Sequence, residues 1–213
     1  MTENNVNPDL LVQEQLENIV KSGTTTVGIK VNDGVVIATE SKATAGYFIA
    51  SKQAQKLFEI NKLTAATIAG GVADALYVIN QLKALSRLNE VKKGKTPEPK
   101  YISSICRNIL FSGRSFFQVL MIIGGFSLTE NTGKLYGVDL LGTYYEEDKF
   151  LSFGSGSPFV LGLLEADWKP NLTKAEGIEL VTAAITAAKE RDAGSGFDLQ
   201  ICTVDKNGFK QIK

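Results

Sequence analysis

Strand-like and helical patterns come in blocks along this chain: strands, a pair of helices, strands, a second pair of helices, then strands again. That order constrains the fold more than any other feature. A doubly wound parallel sheet needs one helix after each strand. Paired helices between groups of apolar strands instead predict an α+β chain in which two sheets pack face to face, with a helix layer outside each. The strand runs are nearly continuous in apolar residues, so both of their faces need cover.

The first block opens at Thr24. Val27, Ile29 and Val31 alternate with small or polar residues, Asn32-Asp33-Gly34 follows, and Val35 to Ala38 is apolar, which predicts a hairpin. Leu57 to Ile60 and Leu63 to Ala69 read as further strands, and Val72, Ala75, Leu76, Ile79 and Leu82 fall at helical core spacing. Glu90 to Lys100, with Gly94, Pro97 and Pro99, reads as a surface connection. Tyr101 to Arg114 is expected to be helical, Val119 to Phe126 and Leu135 to Leu141 buried strands, and Ser157 to Asp167 a short helix. Thr173 and Glu176 have the spacing of a capping box, ahead of a stripe of Ile178, Val181, Ile185 and Ala188 that runs up to Arg191. Phe197 to Val204 closes as a strand, and Lys206-Asn207-Gly208 turns into a last one. Ahead of all this, residues 1–23 read as a separate segment, polar at first, with a helix start at Pro8-Asp9 and Val12, Leu16, Ile19 and Val20 on one face. Periodicity alone makes it an ordinary first helix.

Composition narrows the chemistry through an absence, because the 213 residues include no histidine. Ser-His-Asp and Cys-His hydrolases, histidine zinc sites and histidine general bases are excluded together. The two cysteines, Cys106 and Cys202, cannot build a four-cysteine zinc site, and both sit in apolar segments as reduced core thiols do. An enzyme made from this chain must move protons through lysine, carboxylates or a free α-amino group. No cofactor or metal is expected. Lys plus Arg and Asp plus Glu balance at 23 each, which leaves no basic field for nucleic acid or anionic lipid. The longest apolar stretch, near Val119 to Phe126, is far short of the roughly 20 residues that span a bilayer, and the first residues are polar, so a cytoplasmic location is expected.

Five short blocks carry the residues that such chemistry needs. Gly23-Thr24-Thr25-Thr26-Val27-Gly28-Ile29 sets a run of hydroxyls directly after a glycine; Ser51-Lys52-Gln53-Ala54-Gln55-Lys56 brings a lysine; Ala69-Gly70-Gly71-Val72-Ala73-Asp74 brings paired glycines. Gly154-Ser155-Gly156-Ser157-Pro158 and Arg191-Asp192-Ala193-Gly194-Ser195-Gly196 complete the set. Singly, each has a plain structural explanation. Three threonines are good strand formers, Lys56 reads as a solvated charge, Asp192 as a polar residue ending a helix, and Gly154 to Ser157 as a helix-entry loop.

Taken in order, the five blocks resemble the proteasome β-subunit family of the archaeal kind, over Thr24 to about Val204. The resemblance implies an N-terminal-nucleophile hydrolase fold, a four-layer αββα sandwich, with residues 1–23 as a propeptide and 24–213 as the peptidase domain. It implies an autoprocessed threonine endopeptidase, a zymogen until Gly23-Thr24 is cleaved, with Thr24 as nucleophile and its freed amine, whose pKa is near 8, as proton relay. Lys56 then stands beside Thr24 as a cation that lowers the cost of the developing alkoxide, with Glu40 as its carboxylate partner. Asp192, Ser195 and Ser155 orient the threonine, and the Gly70 amide stabilises the oxyanion. Thr44, Gly70 and Val72 fall along a cleft edge where a substrate strand pairs. Ala43, Ala54, Ile68 and Val72 are expected to line an apolar specificity pocket, which predicts cleavage after hydrophobic residues. The implied partners are proteasome α subunits and other β subunits in stacked seven-membered rings, a ring ATPase unfoldase and unfolded polypeptide.

Two positions depart from the family pattern, which usually has Asp at Glu40 and often Arg at Lys42. The extra methylene of Glu40 shifts its carboxylate, and Lys42 lacks the planar fork of Arg. These changes leave open a β subunit whose role in the ring is mainly structural, weakly catalytic or inactive. A third reading is a different self-processing hydrolase, such as the bacterial two-component peptidase related to proteasomes, or a small-molecule amidase. The leader and the Gly-Ser-Gly-Ser-Pro block count against it, and the presence of Thr24 counts against an α-type subunit.

Overall fold

The computed structural model describes residues 23–114 and 116–213. The expectations for a leader and its helix fall on residues 1–22, outside the described residues. The first half contains β1 (Thr26–Val31), β2 (Gly34–Glu40), β3 (Ala43–Ala45), β4 (Phe48–Ser51), β5 (Leu57–Asn61), β6 (Thr64–Gly70), α1 (Val72–Lys93) and α2 (Pro99–Ser112). The second contains β7 (Val119–Ser127), β8 (Thr132–Val138), β9 (Tyr144–Glu146), β10 (Phe150–Phe153), α3 (Ser157–Asp167), α4 (Lys174–Arg191), β11 (Leu199–Asp205) and β12 (Gly208–Gln211).

Side-chain alternation sorts these elements into four layers. The first sheet has the order β10-β1-β2-β11-β12 and the second β5-β6-β7-β8-β9, every neighbouring pair antiparallel, with β3 and β4 as a separate hairpin. Val27, Ile29, Val31, Val36 and Ala38 point outward from the first sheet and bury against Val160 and Leu164 of α3 and Val181, Ala184, Ile185 and Ala188 of α4. From the second sheet Ile68, Val119, Met121, Ile123 and Val138 pack on Val78, Ile79 and Leu82 of α1 and Ile102, Cys106 and Leu110 of α2. The opposite faces meet between the sheets, where Val35, Ile37, Cys202 and Val204 contact Leu57, Ala65 and Phe126, beside a second cluster of Ile122, Leu135 and Leu151. The order αββα is the one that paired helices require. Cys106 and Cys202 are buried free thiols, and burial raises the pKa of both.

Local chemistry explains the element ends. β1 and β2 are joined through Asn32-Asp33, with Val31 opposite Gly34. The capping box at α4 forms in both directions, with the Glu176 amide donating to Thr173 Oγ at 3.3 Å and the Thr173 amide to the Glu176 carboxylate at 2.7 Å. Glu90 to Lys100 is not all connection: α1 continues to Lys93, where Gly94 at φ 68° closes it, and Pro99 already opens α2. The glycine and proline of that stretch are helix caps, so only 94–98 join the helices. The strand placed at Leu135 to Leu141 runs instead over Thr132–Val138, because Asp139 accepts the Leu141 and Thr143 amides at 2.9 and 2.8 Å and turns the chain. The last long strand begins at Leu199 rather than Phe197, whose φ of 64° takes it out of extended geometry. The short strands β3, β4, β9 and β10 are too brief to show a period of their own.

Candidate active site

Antiparallel register gathers the chemistry-bearing blocks at one end of the sandwich. Thr26 lies opposite Thr39 and Phe153, so the start of β1 sits beside the end of β2, which carries Glu40, and beside the loop after β10, which carries Ser155. Glu40 lies opposite Leu199, which draws in the loop after α4 with Asp192 and Ser195. In the second sheet Leu57 lies opposite Thr67, so Lys56 at the start of β5 is close to Gly70 at the end of β6.

Thr24 is buried at 4% exposure, and its hydroxyl donates to the Gly23 carbonyl at 2.6 Å while accepting from Lys56 Nζ at 3.1 Å. The Lys56 ammonium also meets Glu40 Oε1 at 2.5 Å, with both side chains almost fully buried. Burial lowers the Lys56 pKa below the ordinary lysine value, and the Glu40 carboxylate opposes that shift. Glu40 Oε1 also accepts the Thr25 amide at 3.2 Å, and Oε2 accepts the amides of Lys42 and Gly196 at 2.7 and 3.0 Å. The longer side chain at position 40 therefore reaches the lysine and stays fully hydrogen-bonded. Lys42 donates through Nζ to the Ala193 carbonyl at 2.5 Å and so ties β2 to the Asp192 loop.

A second network lies on the backbone side of Thr24. Asp192 Oδ2 accepts both Ser155 Oγ and Ser195 Oγ at 2.6 Å, and Oδ1 accepts the Gly194 amide at 3.1 Å. Each serine has one proton, and a carboxylate only accepts. The 2.6 Å contact between Thr25 and Ser195 hydroxyls is therefore donated by Thr25, and the Thr24 amide donates to Ser155 at 3.1 Å. Asp192 closes the C-terminal end of α4, where the helix dipole disfavours an anion, and these three donors offset that cost. Gly23 is fixed by shape as well. Its φ is +53°, and a Cβ there would come within 2.4 Å of Gly194 Cα.

A cleft of about 140 Å³ opens in front of the hydroxyl, lined by Gly23, Thr24, Lys42, Ala43, Thr44, Lys56, Ile68, Gly70, Gly71 and Val72. A wider groove of about 600 Å³ between α1 and α2 is lined by Tyr77, Leu85, Ile105, Asn108, Ile109, Ser112, Gly113 and Phe117, with no charged side chain.

Comparison with known proteins gives the same direction. A family model described as proteasome subunit matches residues 20–204. The chain belongs to the proteasome subunit family. Its relatives include the proteasome subunit beta of Methanocaldococcus vulcanius, 41% identical over 89% of this chain and 85% of the relative, and that of Archaeoglobus profundus, 38% identical over 93% and 92%. The proteasome subunit beta 2 of Aeropyrum pernix is 37% identical over 92% of this chain and 88% of that one. The αββα sandwich is accordingly the N-terminal-nucleophile hydrolase fold of an archaeal-type β subunit.

Thr24, Lys56, Glu40, Asp192, Ser195 and Ser155 form one hydrogen-bonded unit, and Ala43, Thr44, Ile68, Gly70 and Val72 line its cleft. Ala54 is not among the lining residues; its amide donates to the Ser41 carbonyl at 2.9 Å and its carbonyl accepts from Gln200 Nε2 at 2.7 Å. Sequence reasoning missed Thr25 as a link between the two networks, and it missed Lys42 and Gly71 on the cleft wall. The hydroxyl run itself was the available signal for Thr25, whereas nothing in the local pattern points Lys42 inward.

Proposed function

We propose that this chain is the catalytic β subunit of a proteasome core, a threonine endopeptidase that releases its own nucleophile by cutting between Gly23 and Thr24. The observation that carries this reading is the Thr24 hydroxyl held 2.6 Å from the Gly23 carbonyl oxygen and 3.1 Å from Lys56 Nζ in a buried site without histidine. In self-cleavage the Thr24 oxygen adds to the Gly23 carbonyl carbon, the Gly23–Thr24 C–N bond breaks, and the nitrogen takes the hydroxyl proton, leaving an ester. Water then hydrolyses that ester, which gives a carboxylate on Gly23 and a free amine and hydroxyl on Thr24.

The same atoms then act on a substrate peptide. The freed amine takes the hydroxyl proton as oxygen attacks and delivers it to the leaving amine, a task suited to its pKa near 8. Lys56, held by Glu40, lowers the cost of charge on the oxygen; Asp192, Ser155 and Ser195 fix the amine; and the Gly70 amide receives the oxyanion. With Ala43, Ile68 and Val72 on the cleft wall, cleavage after hydrophobic residues is expected, and faster release from fluorogenic peptides ending in Arg or Glu would overturn that specificity. Assembly with α subunits and further β subunits in stacked rings, fed unfolded polypeptide by a ring ATPase in the cytoplasm, completes the reading. The relatives' description as proteasome subunits supports it.

The deciding experiment is the intact mass of the chain after assembly with its α partner, together with labelling by a peptide epoxyketone. Loss of residues 1–23 and a covalent adduct on Thr24 are expected. Retention of those residues in assembled rings, with no adduct, would make the subunit structural.

A further inference from the structure

β11 turns Leu199 and Ile201 toward the helix layer and Cys202 and Val204 toward the second sheet, which sends Gln200 into the space between the sheets. An amide that is partly buried beside core aliphatics needs partners, and this one has three. Gln200 Oε1 accepts the backbone amides of Lys56 at 2.9 Å and Leu57 at 3.0 Å, and Nε2 donates to the Ala54 carbonyl at 2.7 Å. Successive amides of a regular strand point to opposite edges. Two consecutive N–H groups on one oxygen therefore depart from regular strand geometry at 56–57, where β5 begins. From the other side the Lys56 carbonyl accepts the Ile68 amide at 3.1 Å.

This arrangement answers a geometric difficulty of the site. The Lys56 backbone leads into the second sheet, yet its ammonium must meet Thr24 and Glu40, which both belong to the first. Gln200 sits on the first sheet, opposite Thr39 and next to the strand that ends in Glu40, and grips the second-sheet segment at Lys56. We propose that Gln200 is a positioning residue for Lys56, whose clamp on residues 54–57 sets how deeply the ammonium enters between Thr24 and Glu40; the inference rests on the threonine-peptidase reading above. Glutamine suits the position because one oxygen serves two donors while the nitrogen serves a carbonyl. A methionine of equal length would leave all three backbone groups unpaired.

The test measures peptide hydrolysis and epoxyketone labelling of Thr24 in assembled particles carrying wild-type chain or Gln200→Met, across pH. In the variant kcat and the labelling rate are expected to fall on the order of 10- to 100-fold, the range for ångström-scale misplacement of a reacting group. KM should change little, since Ala43, Thr44 and Val72 are untouched. The pH of half-maximal labelling should move upward, because drawing the Lys56 cation back raises the pKa of the Thr24 amine while Glu40, Asp192 and Lys42 stay in place. If Gln200→Met does not assemble, Gln200→Asn, with both amide groups on a side chain one methylene shorter, is measured by the same two criteria. Wild-type rate and pH profile in the variant would overturn the positioning role and leave the peptidase reading intact. Absence of labelling in the wild-type particle would overturn both.

Discussion

Two residues show how little freedom the site has. Gly23 adopts φ +53° with Gly194 packed against its Cα, so Gly23→Ala meets both a strained backbone and a 2.4 Å contact. Self-cleavage of that variant should slow at least about tenfold, the scale for a displaced reacting group, while a chain expressed to begin at Thr24 should react normally; the ratio of uncut to cut chain over time reads the effect. Glu40 faces a buried ammonium whose pKa burial already lowers, and it accepts three backbone amides besides. Glu40→Gln leaves that cation without its counter-charge, and breaking a buried pair in this way costs about 3–5 kcal/mol. A denaturant midpoint unchanged from wild type would show that the pair carries no such weight. Gln200 belongs to the same scale, and its position in Leu199-Gln200-Ile201-Cys202 did offer a signal, a lone polar residue on the inward face of an apolar strand. Its partners, Lys56 and Ala54, lie some 144 and 146 positions away, and no local pattern names them.

Single elements are held by ties that span the sandwich. Lys174 in the first turn of α4 meets Asp205 at the end of β11 at 2.5 Å and Asp33 in the β1–β2 turn at 3.0 Å. Its hydrogen bonds to Asp205 and Asp33 raise the Lys174 pKa; burial, the largest single influence on Asp205, pushes that carboxyl up, but the hydrogen bond and charge of Lys174 together with the backbone amides of Asn207 and Gly208 outweigh it and hold the carboxyl below its ordinary value. The raised lysine adds stability that is present below the ordinary lysine value and lost as pH rises through its own. The lowered aspartate adds stability that is present above the ordinary carboxylate value and lost as pH falls through its own. Lys174→Met should therefore cost about 1 kcal/mol or less between roughly pH 4 and 10, a modest figure because a third of the side chain stays in water. The difference from wild type should vanish at either extreme in denaturation series run against pH. The capping box that brackets Lys174 was readable from Thr173 and Glu176 because it is local, whereas the tie from Lys174 joins three elements and is not.

At the scale of the molecule, the distance between the sheets decides whether the two halves of the site meet. Gly28 lies at that contact, where an added Cβ would stand 2.6 Å from Leu135 and 3.1 Å from Ile122. Gly28→Val should push the sheets apart at a cost of about 1–3 kcal/mol, and Thr24 labelling should fall along with thermal stability; a variant that keeps both would show that the inter-sheet packing adapts. The amino-acid order alone determined the layer architecture, because hydrophobic period reports which faces need cover and paired helices leave one way to provide it. It determined the hairpin at Asn32-Asp33, the extent of α3 and the capping of α4, all fixed by contacts within a few residues. Tertiary structure alone decided that Ala54 stays out of the cleft lining and that Lys42 joins it. Those outcomes depend on which strand ends the antiparallel register brings together, Lys42 tying to Ala193 across 151 positions and Ala54 to Gln200 across 146, and period and propensity carry no information at that range.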